Sequence, residues 1–166
     1  SRTNFAYNHQ PDENYTLYQK FADENYFNTY GLKFVAGHSY ALSDTINELV
    51  VNETLLHKLG VKDPAQAVGK EIRLGNSPWK TIVGVVKDFK TNSLKEEIKP
   101  LVIASYKQYY SVTGVKLKTS NLSSTQASVE KAWNETFPEY AYTTSYMDES
   151  LAEFYKQDEQ LALLYK

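Results

Sequence analysis

Residues 81–86, TIVGVV, constrain the fold more than any other part of the sequence: Ile82, Val83, Val85 and Val86 crowd around Gly84. β-branched side chains are stiff at χ1 and pack well on a pleated surface, so this run reads as a strand. It is either buried on both faces or bent at the glycine. In the longer stretch KTIVGVVKDFKTNSLKEEIKPLVI, the strand leads to a polar break and a short charged helix capped by Asn92 or Ser93. Pro100 ends that helix and PLVIASY forms a second strand. No catalytic residue type stands out within the stretch.

A chain of 166 residues fits one domain, or one domain made of two lobes. Folding at this size removes roughly two thirds of the surface an unfolded chain exposes, so a conventional core forms without staples. Charged residues are 23% of the chain and the net charge is -2, which gives no basic field to attract nucleic acid. Cysteine is absent, and with it any disulfide framework, thiolate zinc site or thiol nucleophile. That absence suits an oxidising compartment and a cytosolic protein alike. The 14 tyrosines against 7 phenylalanines lean toward an envelope or extracellular domain, because tyrosine joins an apolar ring to a hydrogen-bonding tip. The start, SRTNFAYNHQ, lacks a signal-peptide pattern, and no window holds about 18 consecutive apolar residues.

Residues 1–14 are polar and turn-rich and are expected to be loose or extended. YTLYQKF suits a strand, ADENYFNTYG a short helix closed at Gly31, and LKFVAG a second strand. HSYALSDTIN has no period and reads as a loop. In ELVVNETLLHKLGV a buried strand runs into a helix, with Asn52 as N-cap, Glu53 in the first turn and Gly60 as the stop. On this reading Asn52→Ala costs about 1 kcal/mol. DPAQAVGKEIRLG gives a turn, a helical turn and a strand hinged at Gly69.

The last third reads as a βαβ unit. Its first strand is 111–118, with Val112, Val115 and Leu117 apolar. A capped amphipathic helix follows from about Ser123 to Thr136, carrying Ala127, Val129, Ala132 and Trp133. Pro138 terminates it and YAYTTSY is the second strand. The final stretch, MDESLAEFYKQDEQLALLYK, has helical spacing and no Gly, Asn or Pro to stop it, so the helix is expected to run on into a longer chain.

Few residues carry a chemical signal. His9, His38 and His57 fall on different elements; only Glu53 and His57, four apart on a helix, have metal-ligand spacing, and a surface Glu–His pair is the ordinary reading. No G-x-S-x-G nucleophile turn occurs. Asp88, at a strand end without an identifiable partner, is catalytic on one reading and a turn or cap residue on the other. GKEIRLGNS lacks the helix start a phosphate loop needs. Of the sequons at Asn14, Asn52, Asn121 and Asn134, Asn52 is better used as a cap than as a glycan acceptor.

Taken in order, YGLKFVAGHSY, LVVNETLLHKLGV, AVGKEIRL, IVGVVKDFKTNSLKEEIKPLVI and VEKAWNETFPEYAYTTSYMDESLAEFYKQDEQLA resemble the extracytoplasmic domain of MacB- and FtsX-like ABC transporter permeases, in the form common in Bacteroidetes. The resemblance covers about residues 15–166. It implies an α+β fold of two lobes: a porter-like βαβ lobe from about 13–38 and 108–166, and an inserted, strand-rich, sabre-like lobe from about 39–107. Gly37, Asn52, Glu53, Gly60, Gly69, Gly84, Asp88, Phe89 and Pro100 become structural positions. One departure is His38, where the family usually has an arginine after the AG turn.

The resemblance also implies a place for this domain between the first and second membrane helices of an inner-membrane permease, facing the periplasm. No cofactor, metal or catalytic residue is expected, and ATP hydrolysis would belong to a separate cytoplasmic ATPase subunit or domain. Expected partners are a second permease copy, that ATPase, and a periplasmic adaptor or other envelope protein. A coupling helix would start at Asp148 and carry Leu151, Phe154, Tyr155, Leu161 and Leu164; about 18 residues at 1.5 Å each reach about 27 Å. Export or release of substrate is the first functional expectation. A regulatory or binding module drawing on an aromatic patch in YFNTY or YKQYY is the second, and an enzyme using Glu53, His57 or Asp88 the third.

Overall fold

The structure, a computed structural model, describes residues 1–90 and 97–146. The chain divides into two units, residues 1–115 and 116–166. The architecture is α+β.

Unit one is built on an eight-stranded mixed sheet. Its strands are β1 (Arg2–Thr3), β2 (Phe5–Tyr7), β3 (Leu17–Phe21), β4 (Phe34–Gly37), β5 (Glu48–Asn52), β6 (Glu71–Leu74), β7 (Lys80–Val86) and β8 (Leu101–Ala104). They lie in the order β1-β3-β8-β5-β7-β6-β2, with β4 also on β7. β5 is parallel to β7 and antiparallel to β8, while β3 runs parallel to β8. β3 and β4 therefore pair with β8 and β7 across the lobe boundary expected near residue 38.

The central strands are covered on both faces, because successive side chains alternate across a sheet. Leu49 and Val51 of β5, Val102 and Ala104 of β8, and Ile82 and Val85 of β7 join one cluster, closed by Leu55 and Leu56 of helix α2 (Glu53–Lys58). Val50, Leu101, Ile103 and Val86 join the other, with Tyr40 and with Phe27 of the short helix α1 (Tyr26–Thr29). At Gly84 β7 changes partner: Lys80 and Thr81 pair with β6, whereas Gly84, Val85 and Val86 pair with β4. Gly84 faces Gly37, and a Cβ on either would run into backbone, the His38 carbonyl in one case and the Val83 carbonyl in the other. The glycine in TIVGVV thus serves a close approach of two backbones as well as a two-faced strand.

Of the two states expected for residues 1–14, loose or extended, the structure shows the extended one: β1 and β2 are paired strands, and Phe5 and Ala6 are fully buried. Three residues between Asn4 and Asn8 are too short a run for a period to register. In the expected βαβ unit the helix is present as α3 (Leu122–Thr136), but 111–119 and YAYTTSY have no ladder partner among the described residues and form no strand. Alternation is necessary for a half-buried strand, yet hydrogen bonding to a neighbour makes one; Val112 stays 86% exposed. Of the helix expected over SLKEEIK, residues 97–99 are not helical and the rest lies outside the described residues.

In unit two, Asn121 caps α3 by accepting from the Ser124 N–H at 3.0 Å. Trp133 donates its indole N–H to the Tyr140 carbonyl at 3.0 Å and packs against Phe137 and Tyr142, which folds the chain back after Pro138. The coupling-helix residues Asp148, Leu151, Phe154, Tyr155, Leu161 and Leu164 lie outside the described residues.

Candidate functional site

The densest polar arrangement in unit one is centred on Asn52, a side chain 1% exposed at the junction of β5 and α2. An amide buried this deeply has to satisfy two donors and an acceptor with two lone pairs. It does so fully. Oδ1 accepts from the Leu55 N–H (3.2 Å), as the cap read from sequence requires, and from the Leu101 N–H (2.9 Å). Nδ2 donates to the Lys99 carbonyl and to Asp88 Oδ1, both at 2.9 Å.

Asp88 completes the arrangement from the end of β7. Its Oδ1 also accepts from the Thr54 N–H (2.9 Å) and its Oδ2 from the Thr54 hydroxyl (2.8 Å). Its own N–H donates to Glu53 Oε2 at 3.1 Å. The start of α2 is therefore capped twice, by a residue of its own strand and by a carboxylate from the neighbouring strand, whose charge suits the helix N-terminus. Four chain segments meet here: the end of β5, the start of α2, the end of β7 and the approach to β8.

Each residue singled out from sequence can now be placed. Asn52, Glu53 and Asp88 are brought together. Pro100 is buried at the approach to β8 and its carbonyl accepts from the Tyr18 N–H at 2.9 Å. Phe89 packs on the second cluster. Gly60 and Gly69 take positive φ, at 74° and 85°. Gly37 and Gly84 form the backbone crossing, and the exposed His38 donates its N–H to the Val83 carbonyl at 3.0 Å. His57 is exposed, and Glu53 Oε2 accepts from the Asp88 N–H; among the described residues no cluster of three or more ligand-type side chains occurs. The Asn52 amide, consumed by four hydrogen bonds, is closed to a glycan.

Sequence reasoning missed Thr54 and the reach of Asn52 to Lys99 and Leu101, contacts that no local spacing announces. It also missed the setting of the YKQYY tyrosines. Phe21 stacks on Tyr109 at 4.9 Å between centroids and 21° between planes, and Tyr106 packs edge-on to both. Ser1, Gln19, Phe21 and Tyr109 line an open cleft of about 340 Å³, with Tyr109 59% exposed. Between Gln19 and Phe21 on β3, burial lowers the Lys20 ammonium below its ordinary pKa, and the group sits 5.2 Å from the centre of the Tyr26 ring.

Among the described residues no helix is long and apolar enough to cross a membrane. Comparison with curated proteins gives no match. Solved structures that share the fold include two crystal structures. One is a domain described as part of a permease protein from Porphyromonas gingivalis, with TM-score 0.59 and 15% identity over 81% of this chain and 65% of that one. The other is the periplasmic region of MacB from Actinobacillus actinomycetemcomitans, with TM-score 0.55 and 15% identity over 82% of this chain and 63% of that one. The chain spans a little under two thirds of the length of each. The family model described as MacB-like periplasmic core domain matches residues 2–133. This chain belongs to the family of MacB-like periplasmic core domains.

Proposed function

We propose that the chain is the periplasmic domain of an ABC transporter permease subunit and that it transmits motion without chemistry of its own. The family match over residues 2–133 carries this reading. The four-segment joint at Asn52 supports it, since a domain that passes force needs its sheet tied to its helices by bonds that do not slip. In this reading ATP is hydrolysed by a separate cytoplasmic subunit or domain. Two permease copies act together, and the stretch from Asp148 conveys movement of the membrane helices to the two lobes, about 13–38 with 108–166 and about 39–107. The outcome is export or release of a substrate outside the inner membrane. Stopping that stretch at Gln157 within a full-length permease reconstituted with its ATPase is expected to preserve ATP hydrolysis and abolish its coupling to transport. Normal coupling after the change overturns the lever.

A second reading, a regulatory module that engages an envelope protein without moving cargo, is favoured by the Tyr109 cleft. Aromatic side chains at an exposed cleft are typical anchors of contact surfaces. Loss of a regulatory output in Tyr109→Ala, with transport intact, would favour that reading over the first. The enzyme reading gains no support: both Asp88 oxygens are engaged by Asn52 and Thr54, Glu53 Oε2 accepts from the Asp88 N–H, and His57 is exposed.

A further inference from the structure

His9 sits at a position that backbone chemistry reserves for other residues. The turn from Tyr7 to Gln10, closed by the Gln10 N–H to the Tyr7 carbonyl at 3.0 Å, has positive φ at both central residues, 48° at Asn8 and 62° at His9. Asparagine tolerates this; the second place ordinarily goes to glycine. The histidine has contacts that offset the strain. Its Nε2 lies 2.6 Å from Glu71 Oε2, and its ring packs on Trp79 with centroids 4.2 Å apart and planes 34° apart. The next backbone bond toward the turn joins the Asn8 N–H to the Glu71 carbonyl at 2.7 Å. The side chain that meets His9 thus belongs to the residue that anchors the end of β2.

We propose that His9 and Glu71 form a proton-operated clasp that pins the edge strand β2 onto β6. With the imidazole protonated, the ion pair closes and the cation also lies against the Trp79 ring; with it neutral, the charge is lost and the edge loosens. The ion pair exists only while the imidazole carries its proton, so the added hold is present on the acid side and lost as pH rises. Glu71, on β6, is the carboxylate that meets the imidazole. Arg73, also on β6, pairs with Asp12 on the returning chain and lies 5.5 Å from the Trp79 ring, so those two charges offset each other. Lys80 follows Trp79 at the start of β7, and Tyr7, raised above its ordinary value by burial, stays neutral across the range. The His9 side chain is 60% exposed.

The test is amide exchange at Asn8 and Ala6 in the 166-residue chain between about pH 5.5 and 8, corrected for intrinsic exchange. For a pair this exposed, protection is expected to fall about two- to fivefold as pH rises. His9→Gly suits the positive φ and keeps the turn, and Glu71→Gln keeps a hydrogen-bond acceptor without the charge. Both are expected to flatten the profile. A flat profile in the parent chain, or a fall that persists at the parent size in either variant, overturns the clasp.

Discussion

Replacing Asn52 with alanine tests whether the joint is a cap or a tie. As a cap alone its loss costs about 1 kcal/mol. The structure adds to that figure. The Leu101 N–H loses its acceptor in a buried position, which costs about 1–3 kcal/mol, and the bond to the Asp88 carboxylate, of the stronger charge-assisted kind, is lost as well. Asp88 is half-buried and keeps both bonds to Thr54, so water recovers part of the second term. The expected cost is about 3–5 kcal/mol, against a total stability of about 5–15 kcal/mol for a domain. The assay is equilibrium urea unfolding followed by Trp79 fluorescence in a Trp133→Phe background, since the two tryptophans fall in different units. With a slope of about 2 kcal/mol/M, the midpoint is expected to move by about 1.5–2.5 M. Asp63→Ala in the same unit removes an exposed cap with one bond, to the Ala65 N–H at 3.0 Å, and is expected to cost about 1 kcal/mol or less. Equal costs for the two variants would refute the idea that Asn52 ties β8 to α2.

Two further perturbations probe the sheet and its aromatic cover. Gly84→Ala drives a Cβ into the His38 carbonyl and the Phe34 ring, so the β4–β7 pairing is expected to break, with a fall of several degrees in the melting temperature and exposure of the His38 amide in exchange. Alkaline pH acts through tyrosine: burial pushes Tyr15 and Tyr26 up to about 12 and raises Tyr40 further. The neutral phenol is thus favoured by folding, and that stability, full below about pH 10, is lost as pH rises through about 12. Thermal melts from pH 8 to 12 are expected to show the decline. The Tyr15 hydroxyl is buried without a hydrogen-bond partner among the described residues, so Tyr15→Phe is expected to leave neutral-pH stability unchanged or slightly higher and to soften the alkaline loss.

Where the physics is local, the sequence was readable. Asn52 followed by Glu53, two leucines and Gly60 announces a capped helix, and the capped helix is there. TIVGVV announces a two-faced strand with something special at its glycine, and β7 changes partner at Gly84. Asp88 looked partnerless because Thr54 and Asn52 precede it by 34 and 36 positions, a distance over which no spacing rule operates. The same separation hid the clasp, since His9 and Glu71 are 62 positions apart. Val115 and Leu117 failed in the opposite sense: their pattern asks for a sheet, but pattern does not supply the neighbour.

The position of β8 has a consequence for how the chain is made. β8 is the last strand of this sheet in chain order and lies in its interior, between β3 and β5. Tyr18 pairs with Leu101 and Phe21 with Ala104, so β3 must wait for about eighty further residues before it gains its inner neighbour. Loop closure of that length comes before its reward, which places unit one among slowly folding topologies. Until then β1 and β3 form a ribbon detached from β5, β7 and β6, and the apolar faces that β8 will separate stay open to water. Such a nascent chain is most exposed to aggregation just before β8 arrives, and a stop in synthesis ahead of Leu101 leaves two partial sheets instead of a smaller version of one.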